Sequence, residues 1–157
     1  MERDQASKFI NDLLKLMLSR GGSDLFITAD FPPAIKVDGK SNKVSPQPLS
    51  GQHTMALARA VMNDKQAAEF ERTKECNFAI SPTGIGRFRC NAFVQQGNVG
   101  LVMRTIPQII PTIDSLGLPQ VLKDVAMTKR GLVIFVGATG SGKSTSLASM
   151  VDYRNEN

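Results

Sequence analysis

A glycine-rich stretch at residues 137–144 constrains this chain of 157 residues more than any other feature. It reads G-A-T-G-S-G-K-S and matches the pattern G-x-x-x-x-G-K-[ST] in full. The five residues before it, 132–136, are all apolar, and the residues after it are compatible with a helix. Because a strand, this loop and a helix together form a cradle for phosphate groups, the sequence predicts a nucleotide-binding loop.

The loop residues have separate predicted roles. The glycines allow backbone N–H groups to point inward at a phosphate. Lys143 is the predicted catalytic residue, because a lysine at this position reaches the β- and γ-phosphates, and Ser144 is the predicted Mg²⁺ ligand. The predicted nucleotide-binding residues of the loop are Gly137, Ala138, Thr139, Gly140, Ser141, Gly142, Lys143, Ser144 and Thr145.

The residues on either side of the loop predict an α/β arrangement. A strand that is apolar at every position, as 132–136 would be, is typical of a central strand with helices on both faces of the sheet. We expect a helix over 143–153 to pack onto that sheet through Leu147, Met150 and Val151. Since only residues 145–157 follow the loop's Ser144, we expect the chain to resemble the front part of a longer nucleotide hydrolase.

The preceding part of the chain alternates between helical and extended patterns. Apolar residues at helical spacing predict a helix over 5–20, and Ser50 and Asp64 are predicted to cap two more, ending near Asn63 and Lys74. The polar stretch 39–50, with two prolines, is predicted to be mostly loop. Strands are predicted at 25–28, 34–38, 78–80, 87–94 and 99–106.

The last two of these strands predict a hairpin with Gln96 and Gly97 at its tip. This register gives one coherent apolar face, with the pairs Val94–Val99, Ala92–Leu101 and Cys90–Met103. It also sets Arg89 directly opposite Arg104, with Arg87 on the same face. Because like charges opposed across strands are destabilising, the cluster either meets an anion, points into solvent or pairs with acids elsewhere.

Composition excludes several classes of function. The net charge of +5 permits an anionic partner, but no run of Lys or Arg marks a nucleic-acid surface. Cys76, Cys90 and the single histidine His53 lack metal-ligand spacing, so neither a metal site nor a disulfide is predicted. The charged N-terminus is unlike a signal peptide, and no apolar stretch approaches the roughly 20 residues that span a bilayer. These features predict a cytoplasmic protein without an integral membrane segment.

Prolines at 107 and 111 indicate a break between two domains. We expect a first domain over 1–106, a linker over 107–117 and a second domain over 118–157, in which a helix runs from Leu118 to about Met127.

Several motifs, taken together and in order, resemble the secretion ATPase superfamily. They are Gly22-Ser-Asp-Leu25, Pro32-Pro33, Val37-Asp-Gly39, Gly86-Arg-Phe-Arg89, Arg104-Thr-Ile-Pro107 and Gly137 to Thr145. Within that superfamily the chain resembles the twitching-motility ATPases, the PilT/PilU group that retracts type IV pili. The closing Met150-Val-Asp-Tyr-Arg-Asn155 is similar to that group as well.

The resemblance implies a fold of the α/β class, in which an α+β, PAS-like first domain precedes the start of a RecA-like α/β ATPase domain with the phosphate loop. It implies hexamers that bind ATP and Mg²⁺ between the two domains, with Arg87, Arg89 and Arg104 reaching the phosphates. The implied partner is the inner-membrane platform of the pilus, with peripheral contact to that membrane and no nucleic acid. The group's Asp box, Walker B motif and histidine motif would lie beyond Asn157, so retraction by this chain alone is not expected.

Two other functions compete with a pilus motor subunit. The phosphate loop and the basic charge also fit a RecA-like motor that depends on nucleic acid, although no stripe of aromatic and basic residues supports one. A chain without the later catalytic motifs also fits a non-catalytic interaction domain.

Overall fold

The computed structural model describes residues 2–107, 109–138 and 141–157. These residues form two compact units, of which the first ends at Ile106 and the second begins at Pro107. Both helices and strands are present, so the predicted α/β class is confirmed.

A six-stranded antiparallel sheet forms the centre of the first unit. Its spatial order is β3-β2-β1-β6-β5-β4. The pairing of β1 with β6 brings together parts of the sequence about 80 residues apart, since Asp24 is opposite Arg104. The strands are β1 (Asp24–Ile27), β2 (Ala34–Val37), β3 (Lys40–Lys43), β4 (Glu75–Ile80), β5 (Arg87–Gln95) and β6 (Asn98–Ile106).

Three helices belong to this unit: α1 (Arg3–Ser19), α2 (Gly51–Val61) and α3 (Asp64–Thr73). Ser50 caps α2 as predicted, because its side chain accepts a hydrogen bond from the backbone N–H of His53. The cap of α3 is Asn63, one residue before the predicted Asp64, and its side chain accepts from the N–H of Gln66. Both caps are reciprocal, since the His53 and Gln66 side chains accept from the backbone N–H of the capping residue.

The hydrophobic core lies between these helices and one face of the sheet. Alternate residues of β5, among them Phe88, Cys90 and Ala92, are fully buried there together with Leu14 of α1. This alternation follows from the two-residue period of a strand, which turns every second side chain to the same face. The opposite face, which carries Arg89 and the other outward residues, is hereafter the open face of the sheet.

Strand β3 lies in the stretch that was predicted to be mostly loop, and for Lys40–Lys43 that prediction is wrong. All four residues are polar and exposed, so no hydrophobic alternation marks them. Their pairing with β2 follows from the tight turn at Asp38 and Gly39, both of which have positive φ.

The second unit contains α4 (Val121–Met127) and α5 (Lys143–Glu156). Its small core consists of Ile113, Ala126 and Met150, with Leu122 and Tyr153 among the partly buried residues around it. Arg154 of α5 donates hydrogen bonds to the carbonyls of Ala126 and Thr128, both at 3.0 Å. These bonds satisfy carbonyl groups at the end of α4 that have no partner within the helix.

Residues 132–136 do not form the predicted strand. A strand requires a neighbour to receive its backbone hydrogen bonds, and within the described residues this segment pairs with none. Leu132 and Val136 are 84% and 86% exposed, and only Phe135 packs against the core of the unit. The predicted packing of α5 onto a sheet is therefore wrong for Leu147 and Val151, which are exposed, whereas Met150 is buried.

No helix among the described residues is both long and apolar enough to cross a membrane.

Candidate functional site

The phosphate loop leads directly into α5. Gly142 is the N-cap of that helix, with a φ of 87° that favours glycine, and the N–H of Ser141 donates to the carbonyl of Ala138 at 3.2 Å. Two predicted loop residues, Thr139 and Gly140, lie outside the described residues. The described part of the loop therefore turns tightly and opens a helix of 14 residues.

Gly137 and Ser141 lie close together in the loop. A Cβ atom at Gly137 would lie 2.6 Å from the Oγ of Ser141, so the Ser141 hydroxyl would have to rotate away from a larger residue. A glycine at this position keeps the backbone accessible to a phosphate group.

Lys143 folds back over the loop. Its Nζ donates to the carbonyl of Gly137 at 2.8 Å and to that of Ala138 at 2.6 Å. An ammonium group has three donors, so one N–H is not engaged by these two carbonyls. The positive charge is thus held above the loop, where the β- and γ-phosphates of a nucleotide are expected.

The first turn of α5 carries Ser144 and Thr145, both exposed. The N–H groups of a first helical turn have no partner within the helix, and with the helix dipole they favour an anion. The hydroxyl of Ser144 is at the position from which such loops ligate Mg²⁺. Among the described residues, no three His, Cys, Asp or Glu side chains form a metal cluster. A hydroxyl oxygen such as that of Ser144 is a ligand type that Mg²⁺ accepts alongside phosphate oxygens and waters.

The three predicted arginines share the open face of the sheet in the first unit. Arg89 and Arg104 are paired across β5 and β6, and Arg87 is opposite Ile106. The predicted register of this hairpin is confirmed at each apolar pair, including Val94 with Val99. Like charges are thus directly opposed on neighbouring strands, as the sequence predicted.

Arg104 has a partner that the sequence analysis did not identify. Its Nε donates to Oδ1 of Asp24 at 2.7 Å, and the hydroxyl of Ser23 donates to Oδ2 at 2.7 Å. The Asp24 side chain is almost fully buried, whereas that of Arg104 is 69% exposed. Of the three open possibilities, pairing with an acid therefore holds for Arg104. No ion pair is formed by Arg87 or Arg89 within the described residues.

The same contacts set the pKa of Asp24. Burial of the carboxyl acts to raise its pKa, because it disfavours the charged form. The hydrogen bonds from Ser23 and Arg104, with the charges of Arg104 and Lys36, outweigh burial and hold the pKa below its usual value. Asp24 is therefore a carboxylate at neutral pH.

A shallow polar pocket of about 260 Å³ lies over these residues on the open face. Asn91 is part of its lining and donates to Oε1 of Glu75 at 3.3 Å and to Oδ1 of Asn77 at 3.2 Å. The lining consists of Asp24, Asn77, Arg89, Asn91, Val102 and Arg104. Two arginines, one carboxylate and two hydrogen-bonded amide groups therefore lie together in this pocket.

The lowered pKa of Asp24 predicts a loss of stability in acid. The pKa of Asp24 is lower in the folded chain than in the unfolded chain, where it is about 3.9. The carboxylate therefore stabilises the folded state fully above that unfolded-state pKa, and this stabilisation is lost as the pH falls through the folded-state pKa. We expect Asp24→Asn to lower the free energy of unfolding by about 1–3 kcal/mol at neutral pH. We also expect this variant's free energy of unfolding to depend less on pH below about pH 4. Urea denaturation over this pH range measures both effects.

The matched control is Asp12→Asn, which changes an exposed acid on α1 and should shift neither quantity by more than about 0.5 kcal/mol. Parallel curves of stability against pH for the unchanged chain and Asp24→Asn would contradict the assignment.

Comparison with known proteins finds relatives that are similar in sequence and in fold. No protein-family profile matches the chain. The type IV pilus ATPase PilU of Pseudomonas aeruginosa is 57% identical over 145 residues, which are 92% of this chain and 38% of that protein. The pilus retraction ATPase PilT of the same organism is 44% identical over 146 residues, 93% of this chain and 42% of that protein. The crystal structure of the retraction motor PilT with bound ADP matches with a TM-score of 0.86 at 37% identity, covering 93% of this chain and 43% of that one.

The fold and the shared sequence define the class of protein: over its own length, the chain is homologous to ATPases of type IV pili. Its relatives are the pilus ATPases PilU and PilT, the group that its motifs predicted. The chain spans between 38% and 43% of the length of these relatives.

Proposed function

We propose that this chain is the ATP-binding part of a motor subunit that powers retraction of type IV pili. The observation that carries the proposal is the complete phosphate-loop sequence at the start of α5, with the Lys143 ammonium held over the loop carbonyls. The sequence identity to PilU and PilT supports the assignment to a pilus motor.

Different residues of the loop bind different parts of the triphosphate. Backbone N–H groups between Gly137 and Gly142, with those of the first turn of α5, surround phosphate oxygens. Lys143 neutralises charge on the β- and γ-phosphates, which makes it the catalytic residue of the proposal. Ser144 would hold Mg²⁺ through its hydroxyl, and the ion would supply positive charge beside the phosphates.

We propose that Arg87, Arg89 and Arg104 contribute to nucleotide binding from the first unit. Arginine presents a planar fork of donors that matches phosphate oxygens, and it stays charged at any physiological pH. An anion between Arg89 and Arg104 would also relieve the repulsion of two opposed cations. The open face gives both side chains the exposure that such contacts require.

The proposed assembly is a homo-hexamer in the cytoplasm that acts on the inner-membrane platform of the pilus. The names of the relatives, PilU and PilT, connect them to the type IV pilus and, for PilT, to its retraction. Neither nucleic acid nor an integral membrane segment has a part in this proposal.

We expect the 157-residue chain to bind Mg²⁺-ATP without hydrolysing it above background. Hydrolysis by such loops needs an acid beside the phosphates and a group that orients the attacking water. The first acid after Ser144 is Asp152, which lies eight residues, or about 12 Å, farther along α5. Calorimetry measures the binding, and release of inorganic phosphate measures the turnover.

Two outcomes would identify one of the competing functions instead. Affinity for single-stranded DNA that falls steeply with salt, together with ATP turnover dependent on DNA, would favour a nucleic-acid motor. Absence of any ATP binding by a folded chain would favour an interaction domain.

A further inference from the structure

Asp24 is a buried charge beside the arginine cluster, and it has no place in the predicted site. It is 4% exposed and lies at the start of β1. Its carboxylate oxygens have different partners, since Oδ1 accepts from Nε of Arg104 and Oδ2 from the hydroxyl of Ser23, both at 2.7 Å. A buried carboxylate is costly unless it is paired in this way, so the arrangement is a specific one.

The backbone fixes this carboxylate from both sides. The N–H of Ser23 donates to the carbonyl of Lys36 at 2.8 Å, and the carbonyl of Ser23 accepts from the N–H of Thr105 at 3.0 Å. Asp24 itself is paired with Lys36 on β2 and with Arg104 on β6. Its position therefore depends on three strands and not on a flexible loop.

Arg104 is held by only one edge of its guanidinium group. Within the described residues, Nε is the single nitrogen of this side chain that makes a hydrogen bond, and the side chain is 69% exposed. The two terminal amino groups are therefore available on the open face, where Arg89 is directly opposite. Asp24 also supplies a negative charge that offsets the repulsion between the two arginines.

We propose that Asp24 is a positioning residue for Arg104. It holds the Nε edge of the guanidinium so that the outer edge meets phosphate oxygens with its two remaining amino groups. Because the rotamer is fixed before the ligand arrives, less side-chain entropy is lost on binding. This inference rests on the proposed function, which makes Arg104 a phosphate contact.

The test is a double-mutant cycle in the 157-residue chain, in which calorimetry measures the affinity of each variant for Mg²⁺-ATP. We expect Arg104→Ala to weaken binding about tenfold to a hundredfold and Asp24→Asn about tenfold, since a neutral partner holds Arg104 more weakly. In the Arg104→Ala background, Asp24→Asn should have no further effect, because it acts through the missing arginine.

A nuclear magnetic resonance signal distinguishes positioning from a merely structural role. The Nε–H resonance of Arg104 should be protected from exchange with solvent in the unchanged chain and lose that protection in Asp24→Asn. Arg104→Lys keeps the charge but has no Nε–H, so we expect it to bind Mg²⁺-ATP more weakly even if Asp24→Asn does not fold. The control is Glu71→Gln, which breaks an exposed ion pair with Arg59 of the same 2.7 Å length and should change neither readout.

Failure of this inference and failure of the proposed function give different results. Equal weakening by Asp24→Asn with and without Arg104, or an Arg104 resonance and affinity unchanged in Asp24→Asn, would overturn the positioning role. An affinity for Mg²⁺-ATP as high in Arg104→Lys as in the unchanged chain would overturn it as well. If Lys143→Ala leaves Mg²⁺-ATP affinity unchanged, the proposed function fails, and this inference fails with it.

Discussion

Replacement of Lys143 by alanine is expected to weaken Mg²⁺-ATP binding by the chain about tenfold to a hundredfold. A hydrogen bond to a charged group contributes about 1.5–3 kcal/mol, and each 1.4 kcal/mol corresponds to a factor of about ten in affinity. Lys143 is also the group that spans the loop, with bonds of 2.8 Å and 2.6 Å to its first two carbonyls. Its loss therefore removes both the proposed phosphate contact and a brace of the loop.

Calorimetric titration with Mg²⁺-ATP measures this effect, and circular dichroism checks that α5 persists. The matched control is Lys129→Ala, which removes an exposed lysine of the same unit from outside the loop. We expect it to change the affinity less than about twofold, since a distant surface charge contributes little. Equal affinities in the unchanged chain and Lys143→Ala would refute the assignment of the loop.

Replacement of Phe88 by alanine is expected to lower the free energy of unfolding by about 3–5 kcal/mol. Phe88 is fully buried in β5, the strand that carries Arg87 and Arg89 on its other face. Its truncation removes apolar contacts and leaves a cavity that the surrounding side chains fill only in part. Because stabilities of small domains are about 5–15 kcal/mol, this is a large fraction of the total.

Urea denaturation followed by circular dichroism measures the loss. Phe31→Ala is the control, since Phe31 is 44% exposed and its ring contacts Lys43 in a cation–π arrangement with 4.9 Å between Nζ and the ring centroid. We expect that variant to lose about 1 kcal/mol or less. A cost for Phe88→Ala as small as that for Phe31→Ala would mean that the core does not depend on β5.

The first unit could be predicted from the sequence wherever the signal was local. The cap at Ser50 and the hairpin tip at Gln96 each involve residues within a few positions of one another. The apolar alternation along β5 and β6 then fixed the register, because a slip of one residue would have turned Phe88 and Cys90 to solvent.

Signals that depend on distant residues were not available in the sequence. The pairing of Asp24 with Arg104 joins positions 80 apart, and only the meeting of β1 and β6 creates it. One hint was present, since Asp24 is a charged residue directly before an apolar strand, but its partner could not be named. Strand β3 was missed for a different reason: its four exposed polar residues have no pattern, and its pairing comes from β2.

The sequence predicts the residues of the candidate site but not the contacts among them. The loop sequence indicates which groups are expected to meet a phosphate, because the pattern is contained in nine consecutive residues, 137–145. It did not indicate that Lys143 would fold onto the carbonyls of Gly137 and Ala138. Nor did the apolar run at 132–136 reveal whether a partner strand would cover it, since composition is the same in either case.

The exposure of residues 132–136 has a consequence for the chain in solution. Four of these five apolar residues, all except Phe135, are exposed and have no strand beside them among the described residues. An exposed apolar segment with strand propensity favours association with other molecules. This short segment is therefore where we expect the chain to associate, whereas β3, at one edge of the sheet, carries two lysines and a tight turn that oppose pairing. Dilute preparations are the conditions under which the binding experiments report on single molecules.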